Sequence, residues 1–161
     1  MQEIIVVDFG SQYTQLIARR IREFKVYSEI LPCNVSFSEI KKRKPTGIIL
    51  SGGPSSVFEE GAPLIEGEIF NLGVPVLGIC YGMQLIAHLL GGKVTPAEKR
   101  EYGKTILYID DFSDLFADLS SESVVWMSHA DRITQMPEGF ISLAHTENSP
   151  YAAMADRTRK I

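Results

Sequence analysis

Val74-Pro75-Val76-Leu77-Gly78-Ile79-Cys80-Tyr81-Gly82-Met83-Gln84-Leu85 is the stretch that decides how this chain is read. An apolar run rich in β-branched residues ends in Gly-x-Cys-x-Gly, and a helical pattern begins at once. That is the layout of a nucleophile elbow, with cysteine where the hydrolase version carries serine. Glycines on both sides permit a turn too tight for larger side chains, so the sulfur is expected to project from a strand end. The N–H groups opening the next helix favour a thiolate over a thiol. The spacing therefore predicts both exposure and a lowered pKa, the two needs of a nucleophile. An isolated cysteine is more often an inert packing residue. The flanking glycines reverse that reading, and Cys80 is the candidate nucleophile.

Outward from the elbow, strands and helices alternate. Ile4 to Val7 reads as a buried strand ending at Asp8, and Gln12 to Phe24 carries Leu16, Ile17, Ile21 and Phe24 at helical spacing. Val26 to Leu31 is a strand, Phe37 to Lys44 a short helix, and Gly47 to Leu50 a strand running into Ser51-Gly52-Gly53-Pro54. Ala62 to Leu72 reads as a helix, Val74 to Leu77 as a strand, and Met83 to Leu90 as a helix stopped by Gly91-Gly92. This order predicts an α/β fold: a doubly wound, mainly parallel open sheet with helices on both faces. Such sheets bind ligands beyond the carboxyl ends of their strands, where the Asp8, Ser51 and Cys80 loops all fall. Past Lys93 the segments shorten, with strands expected at Thr105–Ile109, Ser123–Met127 and Phe140–His145.

Composition narrows the class. The 161 residues suit one domain with a sizeable core, and 45% apolar with 22% charged residues is an ordinary globular profile. The net charge of -4 and the lone basic run Lys41-Lys42-Arg43-Lys44 give no footing for nucleic acid. No apolar stretch approaches membrane-spanning length, and the N-terminus lacks the pattern of a signal peptide. Two cysteines, Cys33 and Cys80, are too few for a disulfide framework, and a reducing cytoplasm suits a reactive thiol.

The Ser51-Gly52-Gly53-Pro54-Ser55-Ser56 loop admits a phosphate cradle or a donor loop for an oxyanion beside Cys80. Pro54, Gly61 and Pro63 interrupt the helix that a phosphate loop needs, and neither a Walker pattern nor G-x-G-x-x-G is present, so the oxyanion reading is preferred. A thiol nucleophile usually works with a histidine base. His88, among Ile86, Ala87, Leu89 and Leu90, reads as a packing residue. Spacing does not choose between His129, which follows a predicted strand, and His145 of His145-Thr146-Glu147. No two histidines or cysteines have metal-ligand spacing, so no metal is expected.

These residues resemble the class I glutamine amidotransferase family, which has a flavodoxin-like sheet. Gly78-Ile79-Cys80-Tyr81-Gly82-Met83-Gln84 is similar to its nucleophile motif and Ser51-Gly52-Gly53-Pro54 to its oxyanion loop. Asp8-Phe9-Gly10-Ser11-Gln12-Tyr13 and Trp126-Met127-Ser128-His129-Ala130-Asp131 resemble the branch found in GMP synthetases. The resemblance covers essentially residues 1–161 as one amidotransferase domain. It implies that Cys80 attacks the side-chain amide of glutamine to form a thioester. Gly53 and Tyr81 would hold the oxyanion through their N–H groups, and Gln84, Ala130 and Asp131 would help bind glutamine. The family usually has glycine at Ala130, whose methyl group would narrow the pocket and leave the N–H available.

The family's base and orienter lie in a Gln-Phe-His-Pro-Glu-like segment, one strand after the part resembling Ser149-Pro150-Tyr151-Ala152-Ala153-Met154. The expectation is therefore that residues 1–161 stop short of the catalytic His and Glu, and that His145 does not replace them. The resemblance implies no cofactor in this domain. ATP and Mg belong to a synthetase domain of the ATP-pyrophosphatase type, fused or separate, and a homodimer would form through that absent part. The alternatives are an amidotransferase serving another acceptor, a different thiol chemistry on a related elbow, and a non-catalytic glutamine-binding module.

Overall fold

The computed structural model describes residues 2–161, the side chains of residues 98–101 excepted. Two compact units emerge, one of Met1–Leu89 with Thr158–Ile161 and one of Leu90–Arg157.

The first unit is a four-stranded parallel sheet. Its strands are β1 (Glu3–Asp8), β2 (Tyr27–Pro32), β3 (Gly47–Leu50) and β4 (Val76–Gly78), in the order β2-β1-β3-β4. Helix α1 (Thr14–Glu23) joins β1 to β2, α2 (Phe37–Arg43) joins β2 to β3, and α3 (Tyr81–Leu89) follows β4. β1 pairs with β2 on one side and β3 on the other, and Ile5, Val6 and Val7 are fully buried between them. With Ile48, Leu50 and Val76 they form the near-continuous apolar run expected of strands covered on both faces. Chain order reverses between β1 and β3, the switch point at which open α/β sheets place their ligand crevice. Beside β4 the Val76 N–H donates to the Lys160 carbonyl at 2.9 Å.

The segment 62–72 is not the expected α-helix. Only a 3-10 turn forms, at Gly67–Asn71. Pro63 and Gly67 supply the reason, since one lacks an amide donor and the other raises the entropic cost of a helix. Ile65, Ile69 and Phe70 are buried all the same.

The second unit is a four-stranded sheet in the order β6-β5-β7-β8, built from β5 (Lys93–Ile109), β6 (Glu122–Gln135), β7 (Ile141–His145) and β8 (Ala153–Ala155). Every pairing is antiparallel. β5 and β6 are far longer than the five-residue strands expected. Their ladder passes Pro96 through a register shift between Pro96 and Glu101, so an apparent breaker sits at an irregularity instead of ending the strand. Leu107 and Ile109 point inward, whereas Tyr102, Ile106, Val124 and Trp126 are exposed.

Candidate active site

β4 ends at Gly78, and α3 begins at Tyr81, so Cys80 stands in the turn between them. Its φ of 52° is left-handed, a region that non-glycine residues occupy at a cost and that clusters at functional sites. The two flanking glycines are steric requirements. A Cβ on Gly82 would lie 2.2 Å from the Leu50 carbonyl oxygen, and one on Gly78 would lie 2.6 Å from Ile86 Cδ1 and 2.7 Å from Gly82 backbone. Backbone bonds then lock the elbow to β3. Ile79 N–H donates to Leu50 O at 2.9 Å, and Gly82 N–H to Ser51 O at 3.1 Å. Tyr81 opens α3, where first-turn N–H groups have no acceptor within the helix. Gln84 is buried one turn further on, with its own N–H 3.1 Å from Cys80 O.

The Ser51-Gly52-Gly53 loop leaves β3 directly beside this turn. A Cβ on Gly52 would sit 3.4 Å from Cys80 Cβ and 3.6 Å from Ser11, so this backbone and the nucleophile are neighbours. Gly53 lies against the β1–α1 loop, where an added Cβ would come 2.3 Å from Phe9 O. No side chain is tolerated there without moving main chain. A Gly53→Pro exchange would therefore disturb the loop as well as delete its N–H. Phe9 and Tyr81 pack ring against ring, with centroids 5.4 Å apart, and the Tyr81 hydroxyl donates to Pro63 O at 2.6 Å. Burial pushes the Tyr81 phenol up to about 12, with Cys33 and Glu59 adding to the shift.

Acidity is where the elbow departs from expectation. Cys80 as a residue is exposed, yet burial of its thiol raises the pKa above the ordinary value. Desolvation disfavours the thiolate and acts against the help expected from the start of α3. The turn exposes Cys80 beside the Ser51-Gly52-Gly53 backbone; it does not by itself supply an ionised sulfur.

With this constellation in place, comparison with known proteins is decisive. The model of the family described as glutamine amidotransferase class-I matches residues 5–161. The chain belongs to that family.

Relatives agree. A protein named GMP synthase [glutamine-hydrolyzing] from Staphylococcus carnosus is 59% identical over 98% of this chain, and one of the same name from Aquifex aeolicus is 58% identical over 98%. Each match covers 31% of the relative, so the chain spans about three-tenths of the length of these curated relatives. A crystal structure from Thermoplasma acidophilum, of a protein provisionally described as one subunit of a GMP synthase, superposes with a TM-score of 0.89 at 34% identity. It covers all of this chain and 81% of that one. A Thermotoga maritima glutamine amidotransferase shares the fold, with a TM-score of 0.73 at 18% identity, over 96% of this chain and 71% of its own.

Against the amidotransferase pattern, the first unit gathers Cys80, Gly53, Tyr81 and Gln84. Ala130 and Asp131 belong to the second unit, inside β6, where Asp131 is buried and stands opposite Pro96. His129 does not follow a strand as expected. It lies within β6, because antiparallel pairing with β5 carries that strand on to Gln135. His145 closes β7, and its Nδ1 lies 2.8 Å from Asp110 Oδ2. Its ring stacks on Tyr108 with centroids 5.3 Å apart, while Glu147 is exposed. The carboxylate partner of His145 is thus Asp110, across the β5–β7 pairing, and not the neighbour two residues on.

His88 is exposed and is not a packing residue. It sits in the last turn of α3, where an imidazole can complement the carbonyl end of the helix. Among the described residues no group of three His, Cys, Asp or Glu is placed to hold a metal ion, and no helix is long and apolar enough to cross a membrane. Sequence reading missed Thr14, hidden in a helical pattern and buried beside the Ser51 loop.

Proposed function

We propose that this chain is the glutamine-hydrolysing part of a GMP synthetase. The Cys80 sulfur, once deprotonated, adds to the side-chain amide carbon of glutamine. The resulting oxyanion is held by the N–H groups of Gly53 and Tyr81, and Gln84, Ala130 and Asp131 help bind the substrate. As the adduct collapses, its amide nitrogen takes up a proton and leaves as ammonia, and a glutamyl thioester remains. Water then cleaves the thioester to glutamate and restores the thiol. The observation that carries this reading is the strained Cys80 turn lying against the Ser51-Gly52-Gly53 backbone.

The ammonia serves amination of xanthosine monophosphate to GMP, driven by ATP with Mg in a synthetase domain outside residues 1–161. The names of the relatives support this acceptor, and the small number of cysteines suits the cytoplasm. The general base and its orienter are not assigned to His145 and Glu147. His145 is held by Asp110 and Tyr108, as a structural pair would be.

Limiting alkylation with a chloroketone analogue of glutamine, followed by mass mapping, tests the nucleophile. Labelling of Cys80, protected by glutamine, is the expected result; preferential labelling of Cys33 would overturn it. Ammonia release tests the base. The chain alone is expected to turn glutamine over very slowly, since catalytic groups that act as a unit lose most of their effect when one is missing. Joining it to the segment that follows the matched region in the Staphylococcus carnosus relative should restore turnover. Robust release by the chain alone that vanishes in His145→Ala would return the base to His145.

A further inference from the structure

Thr14 is almost fully buried at the start of α1, and its hydroxyl stands between two loops of the site. Thr14 Oγ1 lies 2.9 Å from Asp8 Oδ1 and 3.1 Å from Ser51 Oγ. Thr14 has one hydroxyl proton, which is shared between Asp8 Oδ1 and Ser51 Oγ and also lies within reach of Ser11 O at 3.1 Å, while Ser51 donates its own proton to Gly52 O at 3.0 Å. Ser51 Oγ in turn accepts the Phe9 N–H at 3.1 Å, and Asp8 Oδ1 accepts the Gly10 N–H at 2.9 Å. The network therefore closes on the loop after β1 from both ends, with Thr14 as the link between Asp8 and Ser51.

Both loops touch the reacting centre. Ser51 is further tied by its N–H to Val7 O at 3.0 Å and by its carbonyl to the Gly82 N–H at 3.1 Å. Its neighbour Gly52 faces Cys80, and Gly53 is pressed against Phe9 O. The placement of Gly53 thus depends on where the Phe9 peptide sits, and the Phe9 peptide is held by Ser51 Oγ.

We infer that Thr14 is a positioning residue for the oxyanion loop: through Asp8 and Ser51 its hydroxyl sets the Phe9 peptide, and hence the Gly53 N–H, relative to Cys80. This rests on the proposed amide hydrolysis and adds a residue to it. Thr14 touches no reacting atom. Its loss should therefore lower the rate of oxyanion formation while leaving glutamine affinity and the bare thiol unchanged.

Two alkylating agents separate these effects in the full chain. A chloroketone analogue of glutamine first adds the thiolate to its carbonyl carbon, giving an oxyanion that needs the donors. The sulfur then shifts to the adjacent carbon as chloride leaves, which re-forms the carbonyl and leaves a stable thioether. Iodoacetamide loses iodide by direct displacement and needs only the thiolate. Thr14→Val keeps the shape and removes the hydroxyl. It is expected to slow the maximal chloroketone rate by about ten- to a hundredfold, the scale of a small misplacement at a reacting centre. Half-saturation by the chloroketone and the iodoacetamide rate should stay as in the parent, and Thr14→Ser should restore the chloroketone rate.

An unchanged chloroketone rate in folded Thr14→Val would overturn the inference, as would an equal fall with both reagents. A parent chain that the chloroketone does not label at Cys80 would defeat the underlying amide-hydrolysis reading instead. Should Thr14→Val fail to fold, Asp8→Ala removes the acceptor and probes the same link from its other end. The same split between reagents is expected there, and its absence would count against the inference equally.

Discussion

In the first unit all four strands run the same way; in the second each strand runs against its neighbours. This difference governs where chemistry can gather. A parallel sheet delivers the carboxyl ends of all its strands to one edge, so the loops after β1, β3 and β4 converge there with Asp8, Ser51 and Cys80. An antiparallel sheet alternates its ends, and its polar residues are held along the ladder. His129 and Asp131 sit within β6, and His145 is engaged by Asp110 and Tyr108 at a strand pairing. The first unit is built around a close approach of backbones, the second around cross-strand pairs.

The sharpest way to break this comparison is to add one methyl group to each unit. Gly82→Ala would drive a Cβ to 2.2 Å from Leu50 O and 2.7 Å from Leu50 C, backbone atoms that cannot rotate away. A loss of about 3 kcal/mol or more is expected, at the upper end for overpacking. Gly103→Ala in β5 meets nothing closer than Trp126 at 4.0 Å, so only its φ of 100° opposes the change. The expected loss there is about 1–2 kcal/mol, the cost of a left-handed non-glycine residue. Chemical denaturation of both variants measures the gap. Equal losses would mean that the elbow's tight approach contributes no more than an ordinary turn.

The same contrast explains what could be read in the residues. β3 has the bounds expected, and α1, α2 and α3 lie within a residue or two of theirs, because buried parallel strands and amphipathic helices leave local apolar patterns. The elbow was legible because its glycines are local steric necessities. The lengths of β5 and β6 were not, since their extension past Pro96 depends on a partner strand some thirty residues away. The bond from His145 to Asp110 was hidden for the same reason, with 35 residues separating the two. Thr14 escaped because a hydroxyl on a helical pattern gives no sign of the loop that it will meet.

The acidity of Cys80 sharpens the comparison from the side of the site. Helix position alone predicts a lowered pKa, whereas burial of the thiol raises it. The thiolate is the reactive form, so iodoacetamide labelling of Cys80 should climb about tenfold per pH unit until the pH nears the thiol pKa. The midpoint is expected above the ordinary thiol value. A midpoint below it would show that the opening of α3 dominates and that the elbow is poised without help from a base.

The smallest effect belongs to the second unit. Asp111 accepts hydrogen bonds from the Ser113 hydroxyl and the Ser113 N–H, and Arg157 stands 2.9 Å away; together these hold its carboxyl at about 2. A carboxylate unfolded titrates near 3.9. Because folding depresses this pKa, the stabilisation is present in full above the unfolded value and is lost as pH falls through the folded one. Its window is therefore about pH 4 down to about 2, well away from the range in which Cys80 changes charge. Asp111→Asn removes the titrating group and keeps the shape. Above pH 5 the variant should lie below the parent by a constant offset in denaturation midpoint. Between pH 4 and 2 the parent should approach it as Asp111 takes up its proton. Curves that stay parallel throughout that window would show that the cluster of Asp111, Ser113 and Arg157 does not couple protonation to folding.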